Sequence, residues 1–508
     1  MNTLHTRLSG VLVHPTSFPS PYGIGDLGQG AYDFIDFLKA SGQSLWQVLP
    51  LGPTGFGDSP YQSFSAFAGQ SLLISPDDLV DLELITKDDL YPIPEFDAAK
   101  VDYGAVLNYK NGLFKKAFQT FHHTPNKFLL EEFDDFCLEN KKWLSDYAVF
   151  MACKDAHEGR SWQEWDDEMT TPTAKVRLAF ETEYKEQIKY YKFIQFLFFR
   201  EWMKLKKYAN EKGIQIIGDI PIYVAMDSAD TWAHPELFQL DEENVPVAVA
   251  GCPPDGFSAT GQLWGNPLYR WGYHKETGYQ WWISRLAYVF RLYDVVRIDH
   301  FRGFDEYFSI PYGAETAVDG HWEKGPGMDL FHAVEQQIGA QNIMAEDLGY
   351  MTESVKKLLA DSGFPGIKLL QFAFDSRDGG GTSYFPEDYP PNCVAYVGTH
   401  DNDTAVGWTT SAEPEDVKRA YDYLGVTDAA DINWVMMRAI WNSRANLTIV
   451  LAQDLLGLGS ESRMNKPSTV GSNWCWRAVE GCFTDALAAK VRGEMERFGR
   501  LDRPDKKV

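Results

Sequence analysis

Five short stretches place ionisable groups where apolar runs stop. In VVRIDHFRGF (295–304), Val295 and Val296 lead into Arg297, Asp299, His300 and Arg302. IQIIGD (214–219) ends in Asp219, and NIMAEDLG (342–349) carries Glu346 and Asp347. VGTHDND (397–403) carries His400, Asp401 and Asp403, and LTIVLA (447–452) runs into Gln453 and Asp454. Each stretch has an ordinary structural reading: R-x-D as a strand-end ion pair, AED as acids at a helix N-terminus, HDND as an Asx-rich turn. Their joint arrival at the ends of separate runs favours a site. Carboxylates gathered away from water are costly unless they are paired or hydrogen-bonded, and a fold seldom bears that cost for structure alone.

Two carboxyl groups and a third stabilising acid suit glycosidic-bond chemistry. One carboxylate attacks the anomeric carbon and one carboxylic acid protonates the leaving oxygen. In a retaining enzyme the pair stands about 5–5.5 Å apart. The two roles need opposite pKa values. Arg297 lies two residues before Asp299, on the same strand face, and is expected to keep Asp299 ionised as a nucleophile must be. Glu346 follows Ile343, Met344 and Ala345. That drier setting raises a carboxyl pKa, as a general acid requires. Asp401, with His400, suits gripping sugar hydroxyls and favouring a distorted, charged transition state.

The elements that must hold these groups are legible as eight β-branched runs. They are GVLVH (10–14), WQVLPL (46–51), IQIIGD (214–219), VVRID (295–299), NIMAE (342–346), IKLLQF (367–372), CVAYVGT (393–399) and LTIVLA (447–452). Near-continuous apolar strands alternating with helical patterns imply a parallel sheet covered on both faces. Eight of them predict a (β/α)₈ TIM barrel, whose chemistry sits at the C-terminal strand ends. The spacing divides the chain into a first barrel part (1–69), a mainly helical insertion (70–205, helical over roughly 128–160 and 175–212) and the rest of the barrel (206–508). A smaller insertion at about 225–275, rich in Pro, Gly and Trp, reads as a lid or binding loop. The run FIQFLFF (193–199) is too short to span a bilayer and reads as a buried helix face.

Composition narrows the partners. The net charge of −25 argues against nucleic acid and anionic membrane surfaces, and favours a neutral or polar substrate. The six scattered cysteines form no C-x-x-C pair, so neither a zinc site nor a disulfide framework is expected, and a cytoplasmic location is. The N-terminus MNTLHTRLSG lacks the apolar core of a signal peptide. Gly23-Ile24-Gly25-Asp26-Leu27-Gly28 spells G-x-G-x-x-G, but prolines precede it and no acid follows at the required distance, so a dinucleotide site is not expected. Asp401-x-Asp403 lacks the Gly and Glu of a calcium loop.

RIDHFRGF, AEDLG and GTHDNDT resemble the catalytic segments of the amylomaltases, the 4-α-glucanotransferases of glycoside hydrolase family 77. The likeness extends to GDIPIYVAMDSADTW (218–232), GCPPDGFSATGQLWGNPLYRW (251–271), GVLVHPTSFPSPYGIGDLG (10–28), LPLGPTGFGDSPYQSFSAFAG (49–69) and RMNKPSTVGSNWCWR (463–477). It covers nearly the whole chain and is weakest over 70–205. It implies Asp299 as nucleophile, Glu346 as acid/base and Asp401 as transition-state stabiliser. It further implies that Arg297, His400 and Asp219 bind the donor sugar, and that Tyr61, Trp264 and Asn465 line the glucan groove. It implies no cofactor, no metal and no separate C-terminal β-domain, with maltooligosaccharides and other α-1,4-glucans as partners and glucose or maltose as acceptor. Two departures stand out. Gly256 replaces a side chain that many members carry in the overhanging loop, and Ser468 occupies a position that is usually Gly.

Two rival functions share these residues. A retaining α-glucan hydrolase performs the same first half-reaction and differs only in letting water attack. A non-catalytic glucan-binding barrel would retain the groove, and the intact carboxylate set argues against it.

Overall fold

The eight β-branched runs are eight parallel strands of one sheet. The computed structural model describes residues 3–124, 126–165, 168–254, 258–349, 351–377 and 382–501. The sheet contains β1 (Leu8–Leu12), β2 (Leu45–Gln47), β3 (Gln215–Ile220), β6 (Val295–Ile298), β9 (Ile343–Ala345), β10 (Gly366–Leu369), β11 (Cys393–Tyr396) and β12 (Leu447–Leu451). Its order is β10-β11-β12-β1-β2-β3-β6-β9. The two ends meet where Ala345 N–H donates to Pro365 O at 2.9 Å, beside the start of β10, so the sheet curls into a nearly closed barrel. Strands such as β12 and β6 are buried along their whole length, as expected where helices cover one face and the barrel interior the other. Among the described residues β12 is the last strand.

Between β2 and β3 the chain forms five long helices, Tyr103–His123, Lys127–Glu139, Lys141–Ala156, Ala174–Glu183 and Lys185–Glu211. The first of them precedes the stretches whose pattern reads as helix from sequence. Three starts are capped by side chains: Asp102 accepts from Ala105 N–H, Asn126 from Phe128 N–H and Thr173 from Val176 N–H. The run Phe193–Phe199 lies on the buried face of the last helix. Its one polar member, Gln195, has both ends of its amide satisfied by the Gly69 backbone, at 2.7 and 2.9 Å. A polar residue in an apolar stripe thus fastens this helix to the loop after β2. The G-x-G-x-x-G stretch is structural as well. Asp26 accepts from Gly28 N–H and Ser20 Oγ and faces the buried Lys110, 3.8 Å away on the first helix.

A second sheet was not visible in the sequence. β4 (Ala248–Cys252) and β5 (Gln262–Pro267) come from the loop after β3, and β7 (Glu306–Pro311) and β8 (His321–Lys324) from the loop after β6. They pair antiparallel in the order β5-β4-β7-β8. Ala248 to Gly251 run against Pro311 to Phe308, which joins two loops from neighbouring barrel strands into one overhang. Gly251 sits where a Cβ would stand 2.1 Å from Gln262 O, so only glycine lets β5 approach β4 there. Gly256, in the tip between β4 and β5, lies outside the described residues.

Candidate active site

Strand register builds the centre of the site. β3 and β6 pair so that Asp219 stands directly opposite Arg297. Alternation along β6 brings Arg297 and Asp299 to the same side. Arg297 Nη1 lies 2.8 and 2.7 Å from the two oxygens of Asp219 and 2.9 Å from Asp299 Oδ1. The Arg297 side chain is 4% exposed and that of Asp219 is 0% exposed, whereas Asp299 keeps 29%. One buried guanidinium therefore serves two acids, one sealed beneath it and one facing the cleft.

β9 lies on the other side of β6, with Ile298 opposite Ala345. Glu346 follows, and its backbone is held between Ile298 O and Phe301 N–H. His300 turns into the left-handed region at φ 51°. Its N–H donates to Glu346 Oε2 at 2.8 Å, and Leu348 N–H donates to Oε1 at 2.8 Å. The unusual backbone at His300 thus orients the glutamate. Trp264, on β5 of the overhang, meets the His300 ring edge-on at 4.8 Å.

The opposite wall comes from the loops after β2, β11 and β12. Tyr61 Oη donates to Asp219 Oδ2 at 3.0 Å, and its ring stacks on His400 at 5.3 Å. His400 Nε2 lies 3.3 Å from Asp401 Oδ1, which also accepts from Asn465 Nδ2 at 2.6 Å. Asp299, Arg297, Asp219, Tyr61, His400, Asp401 and Asn465 thus form one chain of contacts. Trp264 meets His300, which holds Glu346, and Glu346 acts on Asp299 through its charge. Trp474, which sequence reading passed over, packs against both Tyr61 and His400 at 5.8 Å. Its signal was the aromatic pair in NWCWR. Ser468, where the family resemblance leads one to expect Gly, adopts φ 62°, the left-handed conformation that glycine enters without strain.

Three acids from the same strand ends have other duties. Asp347 Oδ1 accepts from Ile367 N–H at 2.6 Å and ties β9 to β10. Asp454 Oδ1 accepts from Ala405 N–H at 2.7 Å, and burial pushes its carboxyl up to about 7. Asp403 accepts from Thr404 N–H and from the Ser411 and Ser460 hydroxyls. Asn402 folds the turn back on itself by accepting from Thr399 N–H and Oγ1, and Asp401 joins it only through its backbone N–H, so the Asp401 carboxylate takes no part in the turn.

Electrostatics corrects one expectation. Arg297 does lower the Asp299 pKa, but burial and the nearby Glu346, Asp219 and Asp401 raise it further, so the net direction is up. The cation falls short because it is already engaged by Asp219. Glu346 is raised by burial, against the pull of Arg297 and its two backbone donors. The two carboxyl groups therefore titrate as a linked pair, above the ordinary carboxylate range. Burial drives His300 down to about 3 and lowers His400, so both imidazoles are neutral at pH 7. Burial and Asp219 keep the Tyr61 hydroxyl protonated and able to donate.

The family model for glycoside hydrolase family 77, described as 4-alpha-glucanotransferase, matches residues 13–481. The 4-alpha-glucanotransferase of Clostridium butyricum is 46% identical over 496 residues, covering 96% of this chain and 100% of its own. That of Thermus thermophilus is 45% identical over 502 residues, covering 97% and 99%. Among solved structures, the amylomaltase from Streptococcus agalactiae in complex with acarbose matches with a TM-score of 0.94 at 41% identity, covering 98% of this chain and 100% of the other. The amylomaltase from Corynebacterium glutamicum, at 20% identity and a TM-score of 0.76, shares the fold.

Asp219→Asn tests the shared cation. It leaves a buried guanidinium with one anion instead of two, and denaturant unfolding should show a loss of about 3 kcal/mol. A variant as stable as the parent contradicts the role of Asp219 as the main partner of Arg297.

Proposed function

The chain belongs to the 4-alpha-glucanotransferases of glycoside hydrolase family 77, and from that premise we propose that Asp299, Glu346 and Asp401 carry its reaction. Such an enzyme moves segments of α-1,4-glucan from a donor to an acceptor, retaining the anomeric configuration by two displacements. Asp299 attacks the anomeric carbon as the glycosidic C–O bond breaks, and Glu346 gives its proton to the departing oxygen. The donor's reducing-end portion leaves, and the remainder stays as an ester on Asp299. The acceptor's 4-hydroxyl then returns a proton to Glu346 while its oxygen attacks the same carbon and frees Asp299.

One observation carries this assignment: the single Arg297 guanidinium shared by Asp219 and Asp299, with Glu346 coupled to the same pair. Of the two coupled acids, Asp299 is the one hydrogen-bonded to the cation, which favours its charged form as the attacking group. Asp219, fully buried, acts on the sugar through Arg297 and Tyr61. Asp401 and His400 hold sugar hydroxyls, and Tyr61, Trp264 and Asn465 line the groove. The acarbose held by the Streptococcus agalactiae amylomaltase supports a donor cleft of this kind. Glucose, maltose and longer maltooligosaccharides serve as acceptors.

The overhanging second sheet supports transfer over hydrolysis, since covering the glycosyl-enzyme limits the access of water. The division into a barrel (1–69 and 206–508) and a helical insertion (70–205) belongs to this reading. So does a cytoplasmic location, supported by six free cysteines. Among the described residues no helix is long and apolar enough to cross a membrane.

Incubation with maltotriose should yield glucose and a ladder of longer maltodextrins. Steady conversion to glucose and maltose alone would refute transfer. A second test uses the electrostatic coupling. Asp299 must be ionised to attack, so the rate falls as pH drops through its pKa, and a raised pKa places that limb above the ordinary value of about 3.9. With α-maltosyl fluoride, whose departure needs no acid, the acid limb of fluoride release should therefore stand well above that value. A limb at or below about 3.9 contradicts the raised pKa of Asp299.

A further inference from the structure

The loop after β12 grips the loop after β11 through one side chain that has no part in the assignments above. Arg463 Nε donates to Asn465 O at 2.7 Å, and its Nη2 donates to Asp401 O. One guanidinium therefore holds the backbone carbonyls of both residues, on two loops from different barrel strands. Asn465 returns to the β11 loop twice. Its N–H donates to His400 O at 3.1 Å and its Nδ2 to Asp401 Oδ1 at 2.6 Å. Neither Asp401 nor Asn465 lies in a helix or strand, so loop-to-loop bonds set their mutual position.

The flanks of the Arg463 segment are fixed independently. On one side Ser460 Oγ donates to Asp403 Oδ2 at 2.7 Å. Gly407 makes room for that bond, since a Cβ there would stand 2.4 Å from Ser460 Oγ and 2.3 Å from Asp403 Oδ1. On the other side Trp474 N–H donates to Met464 O at 2.6 Å, and Lys466 N–H to Asn473 Oδ1 at 3.0 Å. The backbone beneath Arg463 is thus a fixed platform, and the guanidinium reaches from it across to Asp401.

We infer that Arg463 is a positioning residue that sets the Asn465 amide against the Asp401 carboxylate and so fixes the acid that stabilises the transition state. This rests on the assignment of Asp401 given above. Among the described residues the Arg463 guanidinium donates to the backbone carbonyls of Asp401 and Asn465, so its effect passes through those two residues. The planar fork of arginine spans two acceptors at once, a reach that a lysine ammonium does not reproduce. Because Asp401 acts more strongly on the transition state than on bound donor, the loss falls on kcat rather than KM.

The test measures glucose release from maltotriose, with thermal melts, for Arg463→Ala, Arg463→Lys, Asn465→Ala, the Arg463→Ala/Asn465→Ala pair and Asp401→Asn. Arg463→Ala should lower kcat about 10–100-fold, in the range that misplacement by about 1 Å produces, with KM within about twofold of the parent. Arg463→Lys should recover only part of the loss. The double variant should be no slower than the slower single variant, because both changes remove one arrangement. Parent-like kcat in Arg463→Ala, or losses that multiply in the double variant, would overturn the inference. If Arg463→Ala melts early, Arg463→Lys decides: reduced kcat at an unchanged melting temperature supports the role, and parent kcat rejects it. Asp401→Asn separates the two levels. If it keeps full activity, the catalytic assignment fails; if it is inactive while Arg463→Ala is not, only the positioning role fails.

Discussion

One guanidinium buried between two carboxylates is the constraint on which the site depends. Arg297 could not be left unpaired at 4% exposure, and Asp219 could not be left ionised at 0%. Each makes the other tolerable. What remains of the cation's field reaches Asp299, 2.9 Å away and open to the cleft. Asp299 is thereby poised rather than simply ionised. Burial and neighbouring acids hold its pKa up, while Arg297 pulls it down. A group balanced in this way can attack without being locked in a stable ion pair. Burial raises the pKa of Glu346 as well, which favours the protonated form that a general acid needs.

The fold supplies this arrangement from several directions. Parallel register sets Asp219 beside Arg297, and β9 brings Glu346 alongside. These contacts join adjacent strands and inherit the rigidity of the barrel. Asp401 is different, since it sits on a loop and borrows its position from Asn465, Arg463 and the stacked Tyr61–His400 pair. The overhang is different again. Its sheet joins the loops after β3 and β6, so Trp264 above the cleft is carried by the same loop that leaves β3 just beyond Asp219. The site thus grades from rigid barrel at the nucleophile to loop-held groups at the stabilising acid.

Much of this was legible in the sequence because parallel strands buried on both faces write near-continuous apolar runs. An ionisable group at the end of such a run is conspicuous. The eight strands and the rim residues follow from that contrast. The second sheet does not. Its strands are short, β8 is largely exposed, and β4 pairs with β7 across more than fifty residues of chain. Local pattern carries no trace of such pairing. The double duty of Arg297 was hidden for the same reason: the period of two reveals Asp299, but Asp219 is 78 residues away and is brought in by register. The HDND stretch shows a further limit. A turn is present, but the side chains of Asn402 and Asp403 bond its backbone, and residue types alone do not say that the Asp401 carboxylate is the one left for chemistry. Asp454 and Asp347 likewise end apolar runs yet serve backbone N–H groups.

The central claim is that Asp299, held by a cation it shares with Asp219, is the atom donor to the covalent intermediate. The most direct measurement is to trap that intermediate. Glu346→Gln protein treated with a 5-fluoro-α-glucosyl fluoride forms the ester but resolves it slowly. Digestion and mass spectrometry then locate the added sugar. The account predicts the adduct on Asp299, in the peptide containing residues 295–304. A sugar found on another carboxylate, with Asp299 unmodified, would contradict it.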